Sequence, residues 1–341
     1  MRNIKKTFLV TSIVGMSFFA LTSFAEPVHI KSGVIFPEGS TWMNSIHQVE
    51  REVTQKTDGG VTFTTYGGGV QGDEPAMLTK IRLDQLNAGM FTSVALSKID
   101  PAIIAFELPL LYQNGDYGEV DYLYQKMFPV FHQRFEERGF ELIALAGQGF
   151  IYLYTTRPVK SFEDFQKLKV ELWSGHAFNK DLIDAFGLTG IPVSFPEILT
   201  SLQTGLLDVV FAPPVGMVSL QWNTEVKYAI DMPVLHGVAG IVVSKKTWDQ
   251  IPKASQGVFR EAFQKSLPSL QATARRDDKV IWEALPEQGI QILAIDGSVK
   301  AQFEEKSKKM WQGLAGKYYP QAILDQMLAY LKEYRAKAEQ P

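Results

Sequence analysis

Val28-His29-Ile30-Lys31-Ser32-Gly33-Val34 alternates apolar with polar residues as a strand does, and Ile35-Phe36-Pro37-Glu38-Gly39-Ser40 breaks the alternation. Beyond the break, Trp42, Met43, Ile46, Val49 and Val53 recur at helical spacing behind Ser40, a suitable N-cap, until Asp58-Gly59-Gly60 stops the run. Val61 to Tyr66 reads as a strand again, and Gly67-Gly68-Gly69 ends it. Gly72-Asp73-Glu74-Pro75 then opens a helix whose buried stripe is Leu78, Ile81, Leu83 and Leu86, and Ala88 to Val94 is a short apolar strand. This alternation predicts an α/β protein with parallel pairings and right-handed crossovers.

The rhythm continues outward. Glu119 to Arg138 is helical, and Glu141 to Leu145 and Ile151 to Thr155 read as two strands. Ser161 with Asp164 makes a capping-box-like start. Leu168 to Trp173 is a strand, Ala177 to Phe186 a helix, Ile191-Pro192-Val193 leads to a helix start at Pro196, and Val209 to Ala212 is a strand reaching Pro213-Pro214. After the apolar strand Leu235 to Ser244, Lys253 to Glu287 is one long helical pattern that Pro268 should kink or split, because proline lacks a backbone donor and clashes with the preceding turn. Ile290 to Ile295 is a last strand, and Ser298 to Ala336 holds two amphipathic helices. No internal repeat is visible.

A chain of 341 residues has room for two domains or one large one. Hydrophobic residues at 45% and charged residues at 21% exclude a disordered or coiled-coil protein. With 34 basic against 37 acidic residues and no run of Lys and Arg, nucleic acid is excluded as a partner. Arg2, Lys5 and Lys6, the apolar stretch Thr7 to Leu21 and Ser23-Phe24-Ala25 read as a cleaved secretory signal peptide over residues 1–25. Its removal leaves 31 basic groups against 37 acidic ones, a net charge of −6, on a protein expected to be soluble in the periplasm. No cysteine is present, so the fold relies on its cores, and thiol chemistry, Cys-ligated zinc and lipidation at a lipobox cysteine are excluded.

No catalytic constellation emerges. His29, His47, His132, His176 and His236 form no HExxH and no pair at metal-ligand spacing, and neither a GxSxG elbow nor a Walker A sequence occurs. Gly67-Gly68-Gly69 is a strand-end turn. What stands out is apolar and aromatic residues where strands end: Trp42 after a Gly-Ser turn, Trp173 before Ser174-Gly175, and Phe211 before two prolines. Ligands of open α/β sheets bind at the carboxyl ends of strands. Packing is the competing role for each of these residues.

Leu168-Lys169-Val170, the helix to Phe186-Gly187, and Glu197-Ile198-Leu199-Thr200-Ser201-Leu202-Gln203-Thr204-Gly205-Leu206-Leu207-Asp208 resemble the core signature of the DctP-type solute-binding proteins of TRAP transporters. Pro37 to Trp42, Gly69 with Gly72-Asp73-Glu74, Glu107-Leu108-Pro109 and Val243 to Trp248 match the same family in order and spacing, so the likeness covers 28 to 335. It implies a two-lobed periplasmic-binding-protein fold with a long helix spanning both lobes and a ligand cleft between them. Lobe I would be 26–150 plus 236–278, and lobe II 151–235 plus 279–341. It also implies a periplasmic receptor that hands a small-molecule solute to the membrane permease subunits of an ion-driven importer. No ATP, cofactor, metal or catalysis is implied.

Departures from the family pattern bear on the ligand. Where the family commonly carries an arginine that forks a substrate carboxylate, this chain has Glu171; a second frequent basic position is Ile151, and the usual asparagine before the proline is Ala212. A desolvated dicarboxylate needs a bidentate cation, and an opposing carboxylate repels it. Ile151, Tyr152, Trp173, Phe211, Pro213 and Pro214 instead suit a small apolar or amphipathic ligand, with Trp42, Glu74 and Thr92 in the lobe I wall or its support. This resembles the arginine-less branch of the family, which implies hydrophobic solutes and a tetratricopeptide partner lipoprotein. Three readings of Glu171 stay open: it attracts a ligand amine beside the cation-π faces of Trp173 and Tyr152, it accepts hydrogen bonds from a neutral ligand, or it pairs with a Lys or Arg or faces water. The rival functions are a receptor for an amine-bearing or monocarboxylate solute, a non-transporting sensor or interaction module and, more weakly, a hydrolase on the same fold.

Overall fold

The computed structural model describes residues 26–173, 177–194 and 197–338. The proposed signal peptide, Ser174-Gly175, His176 and the helix start at Pro196 lie outside these residues. Strand β1 (Val28–Val34) pairs in parallel with β2 (Val61–Tyr66) and β3 (Ala88–Thr92). Helix α1 (Thr41–Lys56) is capped by Ser40, whose hydroxyl accepts from the Met43 amide, and it buries Met43, Ile46, Val49 and Val53, the stripe read from spacing. Helix α2 (Glu74–Arg82) is capped by Asp73. β3 is two residues shorter than expected, because Thr92 turns out of the sheet to cap α3 (Ser93–Ile99), accepting from the Val94 amide.

Helix α4 (Tyr117–Glu136) leads into β4 (Phe140–Thr155). The expected pair of strands is thus one strand of 16 residues, running through Gly147-Gln148-Gly149 with a register shift between Gly147 and Gly149. Glycines normally end a strand pattern; here they let it bend and continue, and Gly149 takes a φ of +106° that side-chain-bearing residues rarely adopt. The amino-terminal part of β4, up to Ile151, pairs antiparallel with β9 (Leu235–Ser244). Its last four residues pair antiparallel with β7 (Val209–Ala212), and Tyr154 and Thr155 also pair with β8 (Tyr228–Ile230). β4 therefore belongs to two half-sheets, and the overall order is β2-β1-β3-β9-β4-β7-β5-β6.

In the second half-sheet, β5 (Lys169–Trp173) pairs in parallel with β6 (Thr189–Val193) and touches β7. Helix α5 (Phe162–Gln166) carries the capping box of Ser161 and Asp164. Helix α6 (Ala177–Phe186) connects β5 to β6, α7 (Ile198–Gln203) precedes β7, and α8 (Pro214–Ser219) follows it. β10 (Gln291–Leu293) pairs in parallel with β8. After the short helix α9 (Lys245–Trp248), α10 (Lys253–Ala284) runs 32 residues through Pro268 without being split. It packs against α1, β4 and α8 along its length, and that burial outweighs the roughly 3 kcal/mol that an interior proline costs.

Helices α11 (Gly297–Leu314) and α12 (Gln321–Ala338) close the chain; α11 packs on α6 and α12 on α4. Arg335 of α12 forks the buried Glu119 of α4 and donates to the Leu111 carbonyl. The fold is a two-lobed α/β periplasmic-binding-protein architecture with α10 as its long helix.

Candidate ligand cleft

The parallel strands of both half-sheets point their carboxyl ends at the segment where β4 crosses between them. On one side Thr92 of β3 and Ala146 of β4 both stand opposite Ala239 of β9, which fixes a rim. On the other side Tyr152 of β4 stands opposite Ala212, the last residue of β7. From Ala146 to Tyr152 the strand takes six steps, about 20 Å of extended chain, the candidate floor between the rims.

On the first rim the Glu74 carboxylate accepts the Thr92 amide (2.9 Å) and the Thr92 hydroxyl (2.7 Å), and is itself buried. The two predicted residues therefore meet, with Glu74 supporting the turn from β3 into α3. Burial pushes the Glu74 carboxyl up to about 7 against those hydrogen bonds. Glu107 lies close behind: it accepts the Val238 amide (2.9 Å) and a hydrogen bond from Ser93, and burial pushes it to about 7 as well. Trp42 is half-buried and stacked on Phe36 with centroids 5.4 Å apart, and it packs against the cluster that includes Ala146 and Ala239 of this rim. Phe36 is held beside the triple-glycine turn by its carbonyl, which accepts the Gly68 amide (2.7 Å).

On the second rim Glu171 has no exposed surface, and its Oε1 accepts the Phe211 amide at 2.9 Å. It does not face water, so that half of the third reading falls. Ile151 and Phe211 are buried in one apolar cluster, Pro213 is half-buried, and Pro214 is buried as the first residue of α8. Tyr152 is half-buried and lies on Trp282 of α10, ring centroids 4.2 Å apart. Burial raises its hydroxyl to about 12. Trp173 ends β5 opposite Val193, and its side chain lies outside the described residues.

The floor carries residues that pattern reading passed over. Asp278 of α10 accepts the Val215 amide (3.0 Å) and approaches Gly149, and burial pushes it up to about 7. His236 is enclosed by Tyr112, Tyr117, Tyr124 and Phe150, and burial with the nearby Arg275 charge drives it down to about 3, so it is neutral. Asp278 and Trp282 are four residues apart and share a helix face, which was the available signal; length and polarity of the tract hid it.

Every described arginine but Arg51 meets a carboxylate or a carbonyl, Arg275 doing so beside the floor, over the Tyr117 ring. Arg134 and Arg138 meet Asp100, Arg157 meets Asp208, Arg260 meets Glu141, Arg275 meets Asp121, Arg276 meets Asp277 and Arg335 meets Glu119. Arg82 donates to the Lys98 carbonyl, and Arg51 is exposed on α1. Arg157 follows the carboxyl end of β4 by two residues, and Asp208 holds it. No group of acidic and histidine side chains among them could hold a metal ion.

The family described as bacterial extracellular solute-binding protein, family 7 (DctP), matches residues 32–317. The C4-dicarboxylate-binding periplasmic protein DctP of Rhodobacter capsulatus is 23% identical over 293 residues, 82% of this chain and 85% of its own. A TRAP periplasmic solute binding protein from Ochrobactrum anthropi, solved with its C-terminus bound in the ligand binding pocket, is similar at a TM-score of 0.82 and 21% identity, covering 92% of this chain and 97% of that one. Another from Desulfovibrio salexigens, with bound orotic acid, gives 0.80 at 18% identity, covering 90% and 99%.

Proposed function

We propose, for a chain that belongs to family 7 (DctP) of the bacterial extracellular solute-binding proteins, that its cleft takes a small apolar or amphipathic solute. The family consists of receptors for TRAP-type transporters, not enzymes, and such receptors bind small molecules. The division into lobe I (26–150 plus 236–278) and lobe II (151–235 plus 279–341) is part of this proposal. In the described residues no helix is long and apolar enough to cross a membrane.

One observation carries the ligand assignment: the position where the resemblance implies a cation holds Glu171, fully buried and accepting a backbone amide, while every described arginine but the exposed Arg51 meets a carboxylate or a carbonyl. An acid entering this cleft would find no guanidinium fork at the β5 position to replace its hydration. This departs from two of the relatives named above, whose ligands are a C4-dicarboxylate and orotic acid. Solute contacts to both rims favour the shut form in proportion to their differential affinity for it, and the permease would read that form, with or without a tetratricopeptide lipoprotein. Micromolar affinity corresponds to about −8 kcal/mol, within reach of aromatic burial and two or three hydrogen bonds.

Native mass spectrometry of the protein purified from its own periplasm weighs the co-purified solute. A molecule with an apolar body is expected; a small dicarboxylate or sugar acid recovered as the tight ligand would overturn the assignment.

A further inference from the structure

Asp278 reaches from the long helix to the point where β4 passes from one half-sheet to the other. Its Oδ1 accepts the Val215 amide (3.0 Å) just after the Pro213-Pro214 turn. Its Oδ2 stands 2.5 Å from where a Cβ would sit on Gly149, whose φ of +106° already demands glycine. One carboxyl thus fills the space beneath the crossing strand and holds the turn that leaves β7. We propose that Asp278 is the positioning residue of the interlobe hinge, tying Gly149 and the Pro213 to Val215 turn to α10, so that its protonation state biases how far apart the lobes stand.

The surroundings make the charge consequential. Tyr117 at the start of α4 and Tyr152 and Tyr154 of β4 face the carboxyl, and the buried Tyr154 hydroxyl has no hydrogen-bond partner among the described residues. On α10 itself Asp277 adds a like charge and meets Arg276, while Arg275 is engaged by Asp121 over the Tyr117 ring. His236 of β9 is neutral, and α8 carries no titratable side chain. Burial holds Asp278 at about 7 in this arrangement, and any lobe arrangement that hydrates it lowers that value. By linkage, rising pH then draws population away from the arrangement described here, and the effect levels off above about 7.

The proposal rests on the two-lobed receptor reading, and its test uses no solute, so a wrong solute assignment leaves the result intact. The chain has no cysteine, so Gln48→Cys on α1 and Glu163→Cys on α5, both exposed, accept spin labels uniquely. Double electron–electron resonance at pH 5 should give one distance, equal to the separation of those sites in this structure, with a second population growing by pH 8. Asp278→Asn in the same background should keep the pH 5 distribution at pH 8. Gly149→Ala, which drives a methyl into the carboxyl's place, should show the second population already at pH 5. Identical parent distributions at both pH values, a pH response that persists in Asp278→Asn, or a Gly149→Ala distribution like the parent's would each overturn the proposal.

Discussion

The Glu171 carboxylate and the Phe211 amide are joined at 2.9 Å between β5 and β7, with no exposed surface on the glutamate. A residue type that sequence reading set at a ligand's edge is thereby part of the second rim's own architecture. Glu171→Gln keeps an acceptor for that amide and should cost less than about 1 kcal/mol, whereas Glu171→Ala strands the amide and should cost about 1–3 kcal/mol. Urea midpoints of the two variants check this, and equal losses would remove the hydrogen bond as the reason for the glutamate.

The buried carboxyls Glu74, Glu107 and Asp278, all pushed up to about 7, make stability depend on pH. Their favourable contribution is complete below the ordinary carboxylate range and is lost as pH rises toward 7, at about 1.4 kcal/mol per group per pH unit. His236 opposes them, because only the unfolded chain takes up its proton between about 6.5 and 3. Three groups against one predict a higher urea midpoint at pH 5 than at pH 7.5. The reverse order would show that these acids are ionised in the folded protein.

Arg335 and Glu119 fasten the last helix to α4, with the glutamate 2% exposed. Arg335→Ala leaves that carboxylate buried without its fork and should lower stability by about 3 kcal/mol, read by denaturant titration. A loss below 1 kcal/mol would mean that α12 is held by its apolar face alone.

The Tyr152 and Trp282 rings lie against each other, tilted by 31° with centroids 4.2 Å apart, joining β4 to α10 one turn beyond Asp278. Truncating a packed aromatic costs about 3 kcal/mol, so Trp282→Ala should shift the unfolding midpoint accordingly. Trp282→Phe should recover more than half of the loss, and failure to recover would mean that indole-specific contacts, rather than ring packing, hold the pair.

Thr92→Val removes both the hydroxyl that caps α3 and the donor to Glu74. The expected cost is about 1–2 kcal/mol. An unchanged denaturation midpoint would show that the Thr92 and Ala95 amides suffice to hold Glu74.

Most of the fold was legible in order along the chain, because period, caps and turn residues are local quantities. Ser40, Asp73 and the Ser161 with Asp164 box each sit where spacing placed them, and the stripe of α1 is buried as read. The alternation in residues 28–94, the missing cysteines and the family signature therefore followed from sequence by itself, as did the exchange of arginine for glutamate at Glu171. Only the tertiary structure decided that 140–155 is a single strand, since a glycine bend and a strand end look alike until β9 and β7 supply partners on either side. Only it turned Glu171 inward onto Phe211 and brought Asp278 beneath Gly149, 129 positions away in the chain. Burial and long-range juxtaposition depend on how helices and sheets pack, and no local pattern encodes which distant backbone will come to lie against a given carboxylate.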